Sequence, residues 1–280
     1  MKKTRSFRVS LHGHSPESDG LSSIREIVEA GGRSKIHFLG LADHNTTAGI
    51  PGLYREVASY NRSHEHQIQA VGGIEVKFAD SGDVIISKPG PIDYAFLAWA
   101  EGVAVKRGTM PAVRAINEAV RRFGAMVTFA HVDCPFAGSV SSARLSEIVK
   151  KLTPRVRRHI AMEVRNYATA VFSVLTVARE ERLEALAGQL GLATVGFSDF
   201  HHAWMVKKQV SAFQASVPTG LALKKAIKTR TIKAAWRESL GLFEWFRLTW
   251  TVGRALLLFK LKYAGWNLPV FRPEPSLATK

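Results

Sequence analysis

The apolar positions of this chain fall into short dense runs separated by longer periodic stretches. Seven runs read as strands: residues 7–12 (FRVSLH), 36–42 (IHFLGLA), 68–74 (IQAVGGI), 83–87 (DVIIS), 126–130 (MVTFA), 160–164 (IAMEV) and 193–198 (ATVGFS). Most are near-continuous in apolar or β-branched residues, the pattern of strands covered on both faces. Between them the period lengthens. Residues 22–31 open on Ser22-Ser23 and carry Ile24, Ile27 and Val28, an N-cap followed by an apolar stripe, and Gly31-Gly32 is expected to end that helix. Residues 111–123 place Pro111 in a first turn and Val113, Ile116, Ala119, Val120 and Phe123 on one face. Helices are also expected over 50–62 and 169–190. The link from Lys77 to Gly82 is short and carries Asp80-Ser81-Gly82, which reads as a hairpin between the third and fourth strands.

Repeated strand–helix units imply an α/β fold with a largely parallel sheet. Seven such units favour a closed or nearly closed barrel; an open doubly wound sheet is the alternative. A chain of 280 residues suffices for one large domain or two small ones. At 46% hydrophobic and 22% charged residues it is not a disordered chain. One cysteine excludes an intramolecular disulfide framework and fits a reducing compartment. The basic start Met1-Lys2-Lys3-Thr4-Arg5 is not followed by an apolar segment, so no secretory signal is expected and the cytoplasm is the expected location. The net charge of +16 is concentrated at the end: residues 203–280 hold 14 Lys/Arg against 3 Glu. Such a balance suits a phosphate-rich partner, nucleic acid or anionic lipid, and equally a solvated basic face.

The chemistry lies at the ends of the strands. His12-Gly13-His14 closes the first, with Ser18-Asp19-Gly20 just beyond; Asp43-His44 closes the second, Glu75 the third, His131 the fifth, and Asp199-Phe200-His201 the seventh. Side chains alternate with period two along a strand, so His-x-His and Asp-x-His each aim two ligands at one side. In parallel α/β barrels the C-terminal rim is where such residues meet. Mixed imidazole and carboxylate ligands suit zinc, manganese or iron, and a carboxylate such as Glu75 can bridge two ions. Paired ions can generate a hydroxide nucleophile and neutralise charge on a phosphoryl oxygen.

The segments HGHSPESDG, GLADHNTTAG, GGIEV, AH and FSDFHH together resemble the motifs of the polymerase and histidinol phosphatase (PHP) superfamily, whose usual forms look like DLHxHSxxSDG, DH, GxE, AHP and SDxH. The resemblance covers roughly residues 6–235, with LALKKAIKTR similar to the family's final helix. It implies a distorted (β/α)7 TIM-like barrel that hydrolyses a phosphoester at a di- or trinuclear centre of zinc, manganese or iron. Carried over, it makes His12, His14, Glu75 and Asp199 ligands of one ion, Glu75 and His131 of a second, and Asp19, His44 and His201 of a third. Asp43 would orient an imidazole. Arg165, Lys77 and Lys88 stand where a residue could hold the phosphate, and Glu163 would support a ligand without being one. Cys134, near His131, reads as a buried small residue. The chain departs from the pattern at three points. Ser10 replaces the usual Asp before the first His, the fourth strand reads Asp83-Val84-Ile85-Ile86 without the usual His, and Val132 replaces the Pro after the fifth-strand His.

Residues 236–268 form an extension of another character, and 269–280 a proline-bearing tail. Within 236–262 the polar positions Arg237, Glu244, Arg247, Thr251 and Arg254 line up with Gly241 in one narrow helical stripe. Most of the remaining surface is apolar, including Trp236, Phe243, Trp245, Phe246, Trp250 and Phe259. The span carries too many charges for a comfortable transmembrane helix. It could close the barrel, lie peripherally at a membrane surface, or bind a partner protein. Three functions are therefore on the table: a phosphoesterase of a phosphorylated small molecule or nucleotide, a nuclease-like phosphodiesterase guided by the basic tail, and an inactive barrel used for binding.

Overall fold

A computed structural model describes residues 4–134, 138–172, 176–237 and 242–263. β1 (Arg5–Ser10), β2 (Phe38–Leu41) and β3 (Gln69–Phe78) pair in parallel, linked by α1 (Ile24–Arg33) and α2 (Ile50–Ser63). The expected hairpin then reverses the chain into β4 (Gly82–Pro89), which pairs antiparallel with β3 and with β5 (Met126–Phe129). Two helices separate β4 from β5: α3 (Tyr94–Val105) and α4 (Ala112–Phe123). After α5 (Ser142–Lys150) and α6 (Pro154–Arg157), parallel pairing resumes through β6 (Ile160–Asn166), α7 (Thr176–Leu190) and β7 (Ala193–Phe197). β8 (Gln209–Ala215) runs antiparallel to β1; α8 (Gly220–Lys228), β9 (Lys233–Arg237) and α9 (Leu242–Tyr263) follow.

These strands form one sheet in the order β7-β6-β5-β4-β3-β2-β1-β8-β9. It curls until its edge strand β7 meets β8 and β9. The Ser211 hydroxyl on β8 accepts from the Gly196 N–H at 2.8 Å and donates to the Gly196 carbonyl at 3.0 Å. A Cβ on Gly196 would lie 2.7 Å from Gln209 Nε2 and 2.9 Å from Ala234 Cβ, so only glycine lets β7 come this near. The result is a nearly closed barrel. Inward residues at the strand starts, among them Phe7, Phe38, Met126 and Val195, pack on Leu223, Ala226 and Ile227 of α8, which plugs that end. At the other end a small layer of Ala42, Ile85 and Ala130 leaves room for polar side chains.

Two strands escape the hydrophobic pattern. β8 mixes buried and half-exposed positions, and β9 spans five residues with exposed Lys233 and Ala235. β9 also runs across residue 235, where the barrel was expected to stop. In α1, Gly31 and Gly32 do not end the helix, which continues to Arg33. Both are buried, and a Cβ on Gly32 would overlap the Tyr60 ring of α2; these glycines permit close helix packing. Ser23 makes the N-cap, in a reciprocal capping box with Glu26. Pro111 is the N-cap of α4, outside its first turn, and Gly124 closes that helix at φ +58°. The stretch expected as one helix from 169 begins instead as a 3-10 turn, Ala168–Phe172, with α7 starting at Thr176.

α9 lies against the barrel, as one of the three readings of the extension expected. Leu248, Thr251, Val252 and Ala255 are buried beneath it, Glu244 pairs with Lys208, and Arg247 stacks over the Trp204 ring at 4.4 Å. Glu244 and Arg247 thus border the contact while large apolar side chains such as Phe243 and Trp250 face outward. Residues 264–280, which include the expected tail, lie outside the described residues.

Candidate metal centre

The rim where β1, β2, β5 and β7 end gathers His12, His14, Asp19, His44, Glu75, His131, Asp199 and His201. The chain past β1 stays extended, and Gly13 bridges Phe200 beyond β7. His14 N–H donates to the Phe200 carbonyl at 2.8 Å. A Cβ on Gly13 would overlap the Phe200 ring, so glycine between the two histidines is what lets both loops run side by side. A second bridge joins His44 to Glu75. Glu75 lies inside β3 rather than at its end, because the hairpin carries that strand on to Phe78. Three non-glycine residues here hold left-handed backbone: Asn45 at φ +55°, His131 at +32° and Asp199 at +51°. Such positions cost about 1–3 kcal/mol each and concentrate at functional sites.

The side chains converge without bonding one another fully. Glu75 Oε1 is 3.3 Å from both His12 Nε2 and His131 Nε2. Its Oε2 is 3.1 Å from His44 Nδ1 and 3.6 Å from His14 Nε2. Asp199 Oδ1 is 3.3 Å from His12 Nε2 and 3.0 Å from His14 Nε2. Asp19 Oδ2 is 3.3 Å from His201 Nε2 and 3.6 Å from His44 Nε2. Yet His12 Nε2, His14 Nδ1 and both Glu75 oxygens are fully buried and make no hydrogen bond. Buried polar atoms are normally satisfied, and leaving one bare costs about 1–3 kcal/mol. Ligands at about 2.1 Å around a tetrahedral ion stand roughly 3.4 Å apart, so these spacings match the edges of coordination spheres. Among the described residues, four groups have ligand atoms mutually within 4.8 Å: His14–Asp19–His44–His201, His12–His131–Asp199, His12–His14–Glu75 and Glu75–Asp83–His131. The residues present fit a divalent metal centre.

Charge reinforces the fit. Burial favours the neutral carboxyl of Asp19, but His201, His44 and His14 hold it well below the usual carboxylate range. Burial likewise opposes protonation of His201, but Asp19 and Asp199 lift it to about 9. Asp199 and Glu75 are depressed against burial by His12 together with His201 and His44 respectively. His14 is lowered by burial and by the neighbouring His201 and His44.

No family model and no curated relative matches the sequence. The fold nonetheless superposes on PsfC from Pseudomonas syringae PB-5123, with a TM-score of 0.57 and 16% identity, over 90% of this chain and 99% of that one. It superposes also on a two-domain protein from Bacteroides vulgatus ATCC 8482 described as containing a predicted PHP-like metal-dependent phosphoesterase. There the TM-score is 0.54 at 14% identity, over 88% of this chain and 70% of that one. The chain thus shares its fold with a protein described as PHP-like. A further likeness is to an amidohydrolase from Chromobacterium violaceum with bound sulfate and no metal, at a TM-score of 0.50 and 15% identity, over 69% of this chain and 87% of that one.

Within this barrel the eight expected ligands come together, and several supporting residues differ from expectation. Asp43 was expected to orient an imidazole. Its oxygens accept instead from Ser15 N–H, Ser15 Oγ and Ser18 Oγ, each at 2.7 Å, which ties down the loop carrying His14 and Asp19. Arg165 is not brought to the cluster. A β-bulge in β6 between Glu163 and Arg165 breaks the alternation, and the guanidinium turns to Glu180 at 3.1 Å and Glu184 at 3.3 Å on α7. Lys88 is held by Asp93 at 3.1 Å. Glu163 faces inward: it lies 3.3 Å from His12 Nδ1 and accepts the His131 backbone N–H at 2.8 Å. Asn166 bridges Glu163 and Asp199, at 3.0 and 3.3 Å. Arg179 of α7 donates to the His131 and Val132 carbonyls and braces that loop. Asn166 and Arg179 carry no sequence signal, since only the fold places them here. Asp83, read in the sequence only as the place where a histidine was missing, is buried beside Glu75 and His131.

Proposed function

We propose that this chain is a metal-dependent phosphoesterase that hydrolyses a phosphorylated small molecule or nucleotide at a centre of two or three divalent ions. The observation that carries it is the convergence of His12 Nε2 and both Glu75 oxygens, buried and free of hydrogen bonds, beside His14 and Asp199. His12, His14, Glu75 and Asp199 would hold one ion, Glu75 and His131 a second, and Asp19, His44 and His201 a third, with zinc, manganese or iron suited to the donors. The chemistry such ions supply is polarisation of a phosphoryl oxygen and acidification of a nucleophilic water. The chain's own contribution is preorganisation. Glu163 fixes the ring of His12 from behind, Asp43 locks the Ser15–Ser18 turn, and Arg179 braces the His131 loop. The His44 and His201 side chains retain 18% and 10% exposure while His12 and His14 have none, so substrate reaches the cluster past His44 and His201.

The nuclease-like reading draws on the basic tail; the barrel itself carries two basic depressions away from the cluster. Arg114, Arg121, Arg122, Lys151, Arg155 and Arg158 line two depressions beside the starts of β5 and β6, at the end of the barrel away from the cluster. The test is hydrolysis of p-nitrophenyl phosphate and bis-p-nitrophenyl phosphate by protein loaded with manganese or zinc. Monoester turnover is expected. Turnover of the diester alone would move the assignment to a phosphodiesterase, and turnover of neither would contradict it.

A further inference from the structure

The fourth strand lacks the usual histidine, but it does not lack a donor. Asp83 opens β4, and the period of two turns it to the barrel interior with Ile85. Its backbone is fixed on both sides: its N–H donates to Gly138 at 3.1 Å and its carbonyl accepts from Ala130 at 3.3 Å. Gly82 beside it sits at φ +70°, where a Cβ would strike the Gly138 carbonyl, so glycine is needed for the hairpin to seat Asp83 at this depth. The Asp83 side chain is 4% exposed, and its Oδ1 is buried without a hydrogen-bond partner. His131 Nδ1 and both Glu75 oxygens share that condition. One ligand atom each from Glu75, Asp83 and His131 lie within 4.8 Å of one another.

Building on the metallo-phosphoesterase reading, we propose that Asp83 is the third protein ligand of a carboxylate-rich subsite, Glu75–Asp83–His131, that takes a harder ion than the imidazole-rich subsite around Asp19. Two carboxylates and one imidazole favour manganese, magnesium or ferrous iron, whereas three imidazoles and one carboxylate at His14, Asp19, His44 and His201 suit zinc. The centre is therefore of mixed metal preference, set by one aspartate.

The test titrates metal-stripped full-length protein with zinc and then manganese, followed by electron paramagnetic resonance and elemental analysis. Asp83→Asn should bind one manganese equivalent fewer than the wild type and keep its zinc. Asp83→His should bind zinc at the same subsite in preference to manganese. Unfolding of the stripped proteins separates folding from ligation: Asp83→Asn, relieved of a buried carboxylate charge with an unbonded Oδ1, should be at least as stable as the wild type. Manganese binding by Asp83→Asn equal to the wild type overturns this inference alone, whereas a wild type that binds no ion overturns the phosphoesterase reading beneath it.

A separate observation concerns α9. Its inner face is anchored through Leu248, Val252 and Ala255, and its outer face presents Phe243, Phe246, Trp250 and Leu257, each more than half exposed. Its exposed charged side chains among the described residues are Arg247, Arg254 and Lys260, all basic. No described helix is long and apolar enough to cross a membrane. We infer that α9 docks the barrel on an anionic lipid surface, its aromatic face inserted at the headgroup level and its Arg and Lys meeting lipid phosphates. Full-length protein should co-sediment with phosphatidylglycerol–phosphatidylcholine vesicles but not with pure phosphatidylcholine, and Phe246→Ser with Trp250→Ser should abolish this without changing hydrolysis of soluble substrate. Equal binding by that double variant overturns the inference, as does wild-type protein that self-associates through this face and ignores the vesicles.

Discussion

Glu75 Oε1 stands 3.3 Å from His12 Nε2 in the fully buried centre of the barrel, yet no hydrogen bond joins them. Two complementary groups this near would normally bond. Such a pair fits two ligands of one ion, with His131 Nε2 also 3.3 Å from Glu75 Oε1 and Asp199 Oδ1 3.3 Å from His12 Nε2. Glu75→Gln, which keeps the shape and removes a charged donor, should weaken metal binding at least ~10-fold, the lower end of what even supporting residues cost. Competition against a chromophoric chelator measures it, and unchanged affinity would remove Glu75 from the centre.

Glu163 tests positioning rather than ligation. It lies 3.3 Å from His12 Nδ1 and accepts from the His131 backbone. Glu163→Gln should lower metal affinity by about 10–100-fold while circular dichroism and the thermal midpoint of the stripped protein hold. A variant that loses its fold instead would make Glu163 a structural residue.

Two helix glycines should respond in opposite directions. A Cβ on Gly32 overlaps Tyr60, whereas a Cβ on Gly102 in α3 meets nothing within 4 Å. Gly32→Ala should destabilise by about 1–3 kcal/mol through overpacking. Gly102→Ala should stabilise by roughly 0.4–1 kcal/mol through the unfolded chain. Urea unfolding of both variants checks the pair, and effects of the same sign would refute the packing argument.

His37 supplies a pH dependence away from the cluster. The Arg8 backbone N–H donates to its Nδ1 at 3.2 Å, which requires that nitrogen to be unprotonated. Burial first, then the charges of His66 and Arg8, lower its pKa to about 4. An imidazole depressed by folding contributes stability that is complete above its unfolded value of about 6.5 and lost as pH falls toward the folded one. The urea midpoint of the wild type should therefore fall more steeply across that window than that of His37→Gln. Parallel slopes would show that His37 is not the group responsible.

Much of the fold was legible because buried strands write themselves as apolar runs: the seven expected strands, the β3–β4 hairpin and α2 all stand near where the pattern puts them. β8 and β9 were not, since half-exposed strands carry no dense run. Gly31-Gly32 misled because a glycine that permits helix contact looks in sequence like one that stops a helix. Four of the expected ligands, His12, His14, Asp199 and His201, stand out by His-x-His and Asp-x-His spacing at strand ends, and the other four came with the resemblance to the PHP motifs. Arg165 could not, because one bulge reverses the side to which a strand residue points. Asp83 was hidden for a related reason: an aspartate at the start of an apolar run reads as a turn residue, and only the barrel brings it to Glu75.

The central claim is that this rim holds metal, and the most direct measurement is elemental analysis by mass spectrometry. Wild-type protein and Asp199→Ala would each be incubated with zinc and manganese and desalted. The account predicts about two to three equivalents in the wild type, fewer in Asp199→Ala, and matching circular dichroism. A folded wild type that retains no metal would contradict it.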